Sequence, residues 1–289
     1  MIDRQLPHYN ARTSIDKTQP DWMSTIKDET PIWALTFPGT HDTCARFGGD
    51  LVVCQSLELP AQLEAGIRFL DIRPRHFNNC LPIHHGLVFQ NKSFTSVMED
   101  VTNFLRNHPT EFVLMQVQRE YESAGNTTEF DALVHDVCMG FKDFLAPGGA
   151  EGTTEPSNTT LGSVRGKLCI MQNYDGMSVP GAIKRWTWVD QNEWDMEWSD
   201  IESKKIPRIK EHFEKTKSME GVIRRNWLSA ASASSWPHAV AKLTNQVGFD
   251  CLRSHECCRN GLGIVIADFP GSELIEHCIR HSRETASHY

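Results

Sequence analysis

An α/β fold is predicted from three observations. Short apolar, β-branched runs alternate with amphipathic helical stretches along most of the chain, which argues for βα units and a parallel sheet. Eight such runs can be counted, the number that suits a closed (βα)8 or TIM barrel. The alternation resumes with unchanged composition after the one Gly-, Pro- and Thr-rich stretch, residues 146–162, which therefore reads as a long surface loop and not as a domain boundary. A chain of 289 residues, 39% hydrophobic and 23% charged, can bury a core of that size. The expectation is a single domain over residues 1–289.

The first candidate strand runs from Ile32 to Phe37 and ends before Pro38-Gly39, which places His41 and Asp42 of "PGTHDT" on the following loop. Further strands are expected at Phe69 to Ile72, Leu81 to His84, Phe112 to Val117 and Lys167 to Gln172, then at Arg185 to Val189, Val222 to Trp227 and Gly263 to Ala267. Phe94, Val97, Met98, Val101, Phe104 and Leu105 recur at helical spacing behind a Ser93 cap, and Pro109 closes that helix. Helices are also expected over Glu129 to Leu145, Asp200 to Lys217, Pro237 to Val247 and Ser272 to Arg283. Of the Trp residues, Trp186, Trp188, Trp194, Trp198, Trp227 and Trp236, at least half read as packing. Arg224 and Arg225 share a strand, so at least one should point to solvent.

A formal net charge of -8 carries no basic footprint, which argues against nucleic acid and against bulk electrostatic attraction to an anionic membrane. Transient contact with a membrane surface would have to be local. Nine Cys without paired CxxC units suggest free thiols in a reducing compartment. Cys251, His255, Cys257 and Cys258 do not match a usual zinc spacing. The polar N-terminus lacks an apolar signal core, so a cytoplasmic protein is expected, with secretion by an unrecognised route as the alternative. Oligomeric state cannot be read from the sequence.

Polar residues gather just past the expected strand ends: His41 and Asp42, Asp71 and Arg73, His84 and His85, Gln118 to Tyr121, Asn173, and Asp268. In a barrel these positions converge on one mouth. Singly each reads as a cap or turn residue, but together they exceed what capping requires, and burying them together is costly unless they pair. An Arg between two His suits a phosphodiester. The guanidinium neutralises phosphate oxygens, one imidazole takes the proton of the attacking hydroxyl, and the other protonates the leaving oxygen. An Asp beside each His would fix its tautomer.

The ordered set "PGTHDT", "FLDIRPR", "IHHG", "REYE" and "VIADF" resembles bacterial-type phosphatidylinositol-specific phospholipase C, in the X-domain family of PLC-like phosphodiesterases, from about Trp22 to the last helix. The resemblance implies a distorted, partly open TIM barrel with a core over about 22–285. It implies attack by the substrate's own hydroxyl to give a cyclic phosphate, on a phospholipid or glycerophosphodiester. His41 would be the general base oriented by Asp268, and His85 the general acid assisted by Asp42. Arg73 would hold the phosphate, with Asp71 in its network. No metal or other cofactor is expected, because Arg73 takes the place that calcium fills in eukaryotic relatives; a calcium site on Asp42, Asp71 and Glu120 is the alternative. The substrate-binding set by resemblance is Asp71, Gln118, Glu120, Tyr121, Asn173, Asn192 and Trp194. The family carries Lys, Arg and Asp where this chain has Gln118, Asn173 and Asn192, which puts the headgroup in question. A PLC-like barrel acting on a different phosphodiester, or a catalytically silent lipid-binding module, stays as the alternative function.

Overall fold

The computed structural model describes residues 6–148, 152–190, 200–229, 236–255 and 260–289. Along the chain the elements are β1 (Thr36–Thr40), α1 (Leu59–Ala65), β2 (Phe69–Ile72), β3 (Arg75–Phe77), β4 (Pro82–His85), β5 (Val88–Ser93) and α2 (Phe94–Asn107). They continue as β6 (Phe112–Val117), β7 (Glu120–Ala124), α3 (Phe130–Met139), α4 (Leu161–Val164), β8 (Lys167–Gln172), β9 (Ile183–Lys184) and β10 (Trp188–Asp190). The last are α5 (Ile206–Thr216), β11 (Ile223–Trp227), α6 (Pro237–Ser254), β12 (Gly263–Ala267) and α7 (Ser272–Ala286).

Eight strands form one parallel sheet in the order β10-β11-β12-β1-β2-β6-β8-β9. The two end strands are consecutive in the chain, joined only by the turn Arg185–Thr187, so the sheet curls into a nearly closed barrel with its seam at that turn. A βα unit is missing there, which is the distortion. Contacts between strands that are not neighbours fix which side chains face the lumen. Phe37 meets Phe112 at 6.3 Å and Phe69 meets Trp227 at 6.3 Å, both edge to face. Gly39 sits in the same layer: a Cβ there would lie 2.9 Å from Phe69 Cβ, so the close approach of β1 to β2 needs glycine. The N-terminal end of the barrel is closed by Arg68, which donates to Glu111 from Nε at 3.0 Å and Nη2 at 2.8 Å, both residues fully buried.

Several sequence expectations are corrected. The expected third barrel strand, Leu81 to His84, lies in the antiparallel hairpin β4–β5 on the barrel rim. Only a short link separates it from β2, too short for the crossover that parallel neighbours require; the short β9 takes the missing place. The first strand begins later, after a 3-10 turn over Ile32–Ala34, and runs through Pro38-Gly39 to Thr40. The helix expected over Glu129 to Leu145 stops at Met139, and α6 runs beyond Val247 to Ser254. Neither Arg of β11 faces solvent. Arg224 is 0% and Arg225 3% exposed, because a barrel strand is covered by helices on one side and lumen on the other. Arg224 donates to the carbonyls of Met219 and Trp33, and Arg225 enters the lumen. The Ser93 cap is present as a reciprocal capping box with Ser96.

Candidate active site

Three adjacent barrel strands deliver polar residues to the same end. His41 follows β1, Asp71 lies within β2 and Arg73 just past it, and Asp268 follows β12. His85 ends β4 in the rim hairpin, so the element that left the barrel still delivers its imidazole to the mouth. His41 Nδ1 and Asp268 Oδ1 are 2.8 Å apart, with both residues buried. The carboxylate therefore fixes the ring orientation and leaves Nε2 as the second imidazole nitrogen.

Arg73 is gripped from below. Its Nε donates to Asp71 Oδ2 at 3.0 Å, and Nη2 lies 2.8 Å from the same oxygen. Nη1 stands 3.9 Å from Asp42 and 3.8 Å from Glu120. Burial opposes the charge on Arg73, but Asp71, Asp42 and Glu120 outweigh it and raise its pKa. Burial alone would also raise Asp71, yet Arg73 and His41 outweigh it and hold this carboxyl below its usual range. Asp71 accepts further bonds from the Asp42 amide at 3.1 Å and from Gln116 Nε2 at 2.8 Å. The guanidinium thus occupies the space between Asp42, Asp71 and Glu120, where the alternative calcium ion would have to sit.

Asp42 is 0% exposed and neither carboxylate oxygen has a hydrogen-bond donor among the described residues. The basic groups beside it are His85, with Nδ1 at 3.4 Å, and Arg73, at 3.9 Å. Burial, above all, pushes its pKa up to about 7, against the pull of Arg73 and His41. His85 Nδ1 lies 2.7 Å from the Val52 carbonyl, to which it donates, leaving Nε2 available. Asp42 has φ 37, Tyr121 φ 51 and Phe269 φ 45, so three of the described residues next to the site hold a left-handed backbone that side chains rarely adopt.

A cavity of about 640 Å³ opens beside Arg73. Gln118 and Asn173 line it, and Asn173 Nδ2 donates to Gln118 Oε1 at 2.9 Å. Arg185 Nε donates to Asn173 Oδ1 at 2.9 Å, which brings a guanidinium to that carboxamide from the seam turn. Glu120 Oε1 accepts from the Gly86 amide at 2.8 Å, tying β7 to the hairpin. Tyr121 is 43% exposed on the rim, with Arg75 5.1 Å over its ring. Asn192 and Trp194, and with them Trp198, lie outside the described residues. Of the other Trp residues, Trp188 and Trp227 are buried, and Trp186 and Trp236 are exposed.

One layer of the site was not anticipated. Beneath the mouth Arg225 donates to Gln116 and to Asp190, and lies over Trp188 at 4.6 Å. Trp227 Nε1 donates to Asp190 Oδ1 at 2.6 Å, and its ring meets His41 edge to face at 6.0 Å. The chain Arg225–Gln116–Asp71–Arg73 therefore links the lumen to the residue suited to hold phosphate. Parity was the signal available. Gln116 stands two residues before Gln118 in an otherwise apolar strand, so both side chains share one face.

A nearly closed parallel barrel whose mouth gathers two imidazoles, one guanidinium and buried carboxylates is the arrangement of a PLC-like barrel, and the chain is similar to the PI-PLC X family over part of its length. The family profile described as PI-PLC X 1 matches residues 32–148. The chain is 28% identical to the 1-phosphatidylinositol phosphodiesterase of Listeria monocytogenes, over 96% of this chain and 90% of that one. It is 24% identical to the Staphylococcus aureus protein of the same name, over 78% of this chain and 80% of that one. Among solved structures, the phosphatidylinositol-specific phospholipase C from Listeria monocytogenes superposes with a TM-score of 0.76 at 27% identity, covering 92% of this chain and 99% of that one.

Proposed function

We propose that this chain is a phosphodiesterase that cleaves phosphatidylinositol or a closely related phospholipid through a cyclic phosphate. The observation that carries the proposal is the joint placement of the His41–Asp268 pair, Arg73 and His85 around one barrel mouth. In this reading His41 takes the proton of a hydroxyl on the substrate's headgroup, and Asp268 stabilises the imidazolium that forms. Arg73, held rigid by Asp71, neutralises the non-bridging phosphate oxygens as the hydroxyl oxygen attacks phosphorus. His85 delivers a proton to the departing glycerol oxygen, and Asp42, whose pKa near neutrality suits proton sharing, supports it. Attack by an internal hydroxyl gains the advantage of intramolecular orientation. The bacterial relatives named 1-phosphatidylinositol phosphodiesterase support the same reading.

Contact with a lipid surface fits the distribution of exposed apolar side chains. Leu51, Leu87, Phe89, Met177, Trp186 and Trp236 are each at least 47% exposed, and every one lies in a segment that follows the C-terminal end of a barrel strand. Among the described residues, large exposed apolar side chains gathered at the mouth suit a surface that rests on a membrane while the site draws in a headgroup. Among the described residues, no helix is long and apolar enough to cross a membrane.

A second reading concerns the headgroup. Gln118 and Asn173 are neutral, while Arg185 and Arg225 line the same cavity as Arg73, an arrangement that favours a more anionic phosphodiester. Vesicles carrying phosphatidylinositol, its phosphorylated forms or phosphatidylcholine, with soluble glycerophosphodiesters alongside, separate the readings. Preference for phosphatidylinositol supports the first and preference for a phosphorylated headgroup the second. Absence of turnover on all of them, with tight vesicle binding, would leave a lipid-binding module.

A further inference from the structure

Cys54 is buried at the mouth and has no part in the chemistry set out above. Its backbone is fixed by two bonds, the amide donating to Ala45 and the carbonyl accepting from Phe269, the residue after Asp268. These bonds hold the thiol against the His41–Asp268 pair. Ligand atoms of His41, Cys54 and Asp268 all lie within 4.8 Å of one another, and all three residues are buried. The sulfur also stands 4.0 Å from His85 Nδ1, between the two imidazoles.

One nitrogen, one sulfur and one carboxylate oxygen converging on a point is the donor set of a borderline transition metal. Hard cations such as calcium or magnesium prefer oxygen alone. Tetrahedral zinc, with bonds of roughly 2.0–2.3 Å, separates its ligand atoms by about 3.5 Å. The ligand atoms lie no more than 4.8 Å apart, and His41 Nδ1 and Asp268 Oδ1 stand at 2.8 Å, so closing the wider separations and opening this one, by about an ångström, reaches that geometry. Three protein ligands leave a fourth position for water.

We propose that His41, Cys54 and Asp268 form an inhibitory site for Zn(II) or a metal of similar softness. Binding forms metal bonds to sulfur, nitrogen and oxygen and releases the thiol proton to solvent. The imidazole stays neutral: one nitrogen ligates the metal and the other carries N–H. His41 then has no lone pair to accept the substrate's proton, and turnover stops. Only this last consequence rests on the role assigned to His41 above; the binding itself does not.

The test uses the full chain, stripped of metal by chelator and dialysis. Co(II) replaces Zn(II) as a visible probe. Titration should give a thiolate-to-cobalt charge-transfer band and tetrahedral ligand-field bands that saturate at one equivalent, and Zn(II) should bleach them. In Cys54→Ala the charge-transfer band should vanish. A control with Cys257→Ser and Cys258→Ser should keep it. His41→Ala should weaken cobalt binding with every thiol intact, which decides the question should Cys54→Ala fail to fold. In turnover assays Zn(II) should inhibit while Mg(II) and Ca(II) do not. Cys54→Ala should retain its own turnover and need more than the roughly 10–100-fold extra zinc that outer partners of a metal site command. A charge-transfer band that survives in Cys54→Ala, or equal zinc sensitivity of the two proteins, would overturn the proposal. If no phosphodiester is turned over, the cobalt titration still decides, so failure of the site and failure of the assigned reaction are read separately.

Discussion

Replacing Asp42 with Asn removes a carboxylate from a place where it is costly when charged. The side chain is 0% exposed, lacks a hydrogen-bond donor among the described residues, and has its pKa pushed from 3.8 up to about 7, chiefly by burial. The folded protein thus holds this proton more tightly than the unfolded chain does. The stabilisation is fully present below the unfolded value of 3.8 and is lost as pH rises through the folded value of about 7. Each pH unit in that window is worth about 1.4 kcal/mol, so the two units between about pH 5 and about pH 7 amount to about 3 kcal/mol. Asn does not titrate, and it tolerates the left-handed φ of 37 at this position. Urea unfolding of both proteins at about pH 5 and about pH 8 should therefore show Asp42→Asn gaining about 3 kcal/mol on the parent between the two conditions. Turnover should fall in the same variant, because His85 loses the carboxylate that stands 3.4 Å from its Nδ1. A stability difference that is the same at both pH values would mean that Asp42 is ionised throughout, and would refute the reasoning.

Three further outcomes are expected. His41→Ala and His85→Ala should each lower turnover about 10²–10⁴-fold, the range of a single acid or base, while thermal unfolding monitored by circular dichroism stays near the parent. Arg73→Lys keeps the charge but not the planar fork that engages Asp71, and turnover measured on vesicle substrate should drop by at least about tenfold. At the other end of the barrel, Arg68→Leu leaves Glu111 charged and buried without its partner, and denaturant unfolding should show a loss of about 3–5 kcal/mol.

How far the fold could be read from residues depended on length and apolar pattern. The runs at Phe69–Ile72, Phe112–Val117, Lys167–Gln172 and Gly263–Ala267 coincide with strands at both ends, because a parallel strand covered on both faces reads as a continuous apolar run. The hairpin strand β4 carries the same texture on the rim, and only the length of the link before it distinguishes the two. The short β9 has too few residues for any period to register. The polar mouth was legible because Asp and His at several strand exits are unusual together. The lumen layer beneath it was not. Arg225 and Gln116 are buried against each other across the lumen, and no local pattern reveals that a charged residue in a strand meets Asp190 of the neighbouring strand and Gln116 from the far side of the barrel. Arg185 likewise reaches Asn173 from the seam turn, a position read as a weak strand.

The central claim is that the barrel mouth sets two imidazoles and a guanidinium around one phosphorus atom so that the substrate's own hydroxyl does the attacking. Phosphorus NMR of the reaction as it proceeds tests this most directly. The account predicts that a cyclic phosphate resonance appears first, and that its formation is abolished in His41→Ala. A first product that is an acyclic phosphate monoester, formed with oxygen from solvent, would contradict it.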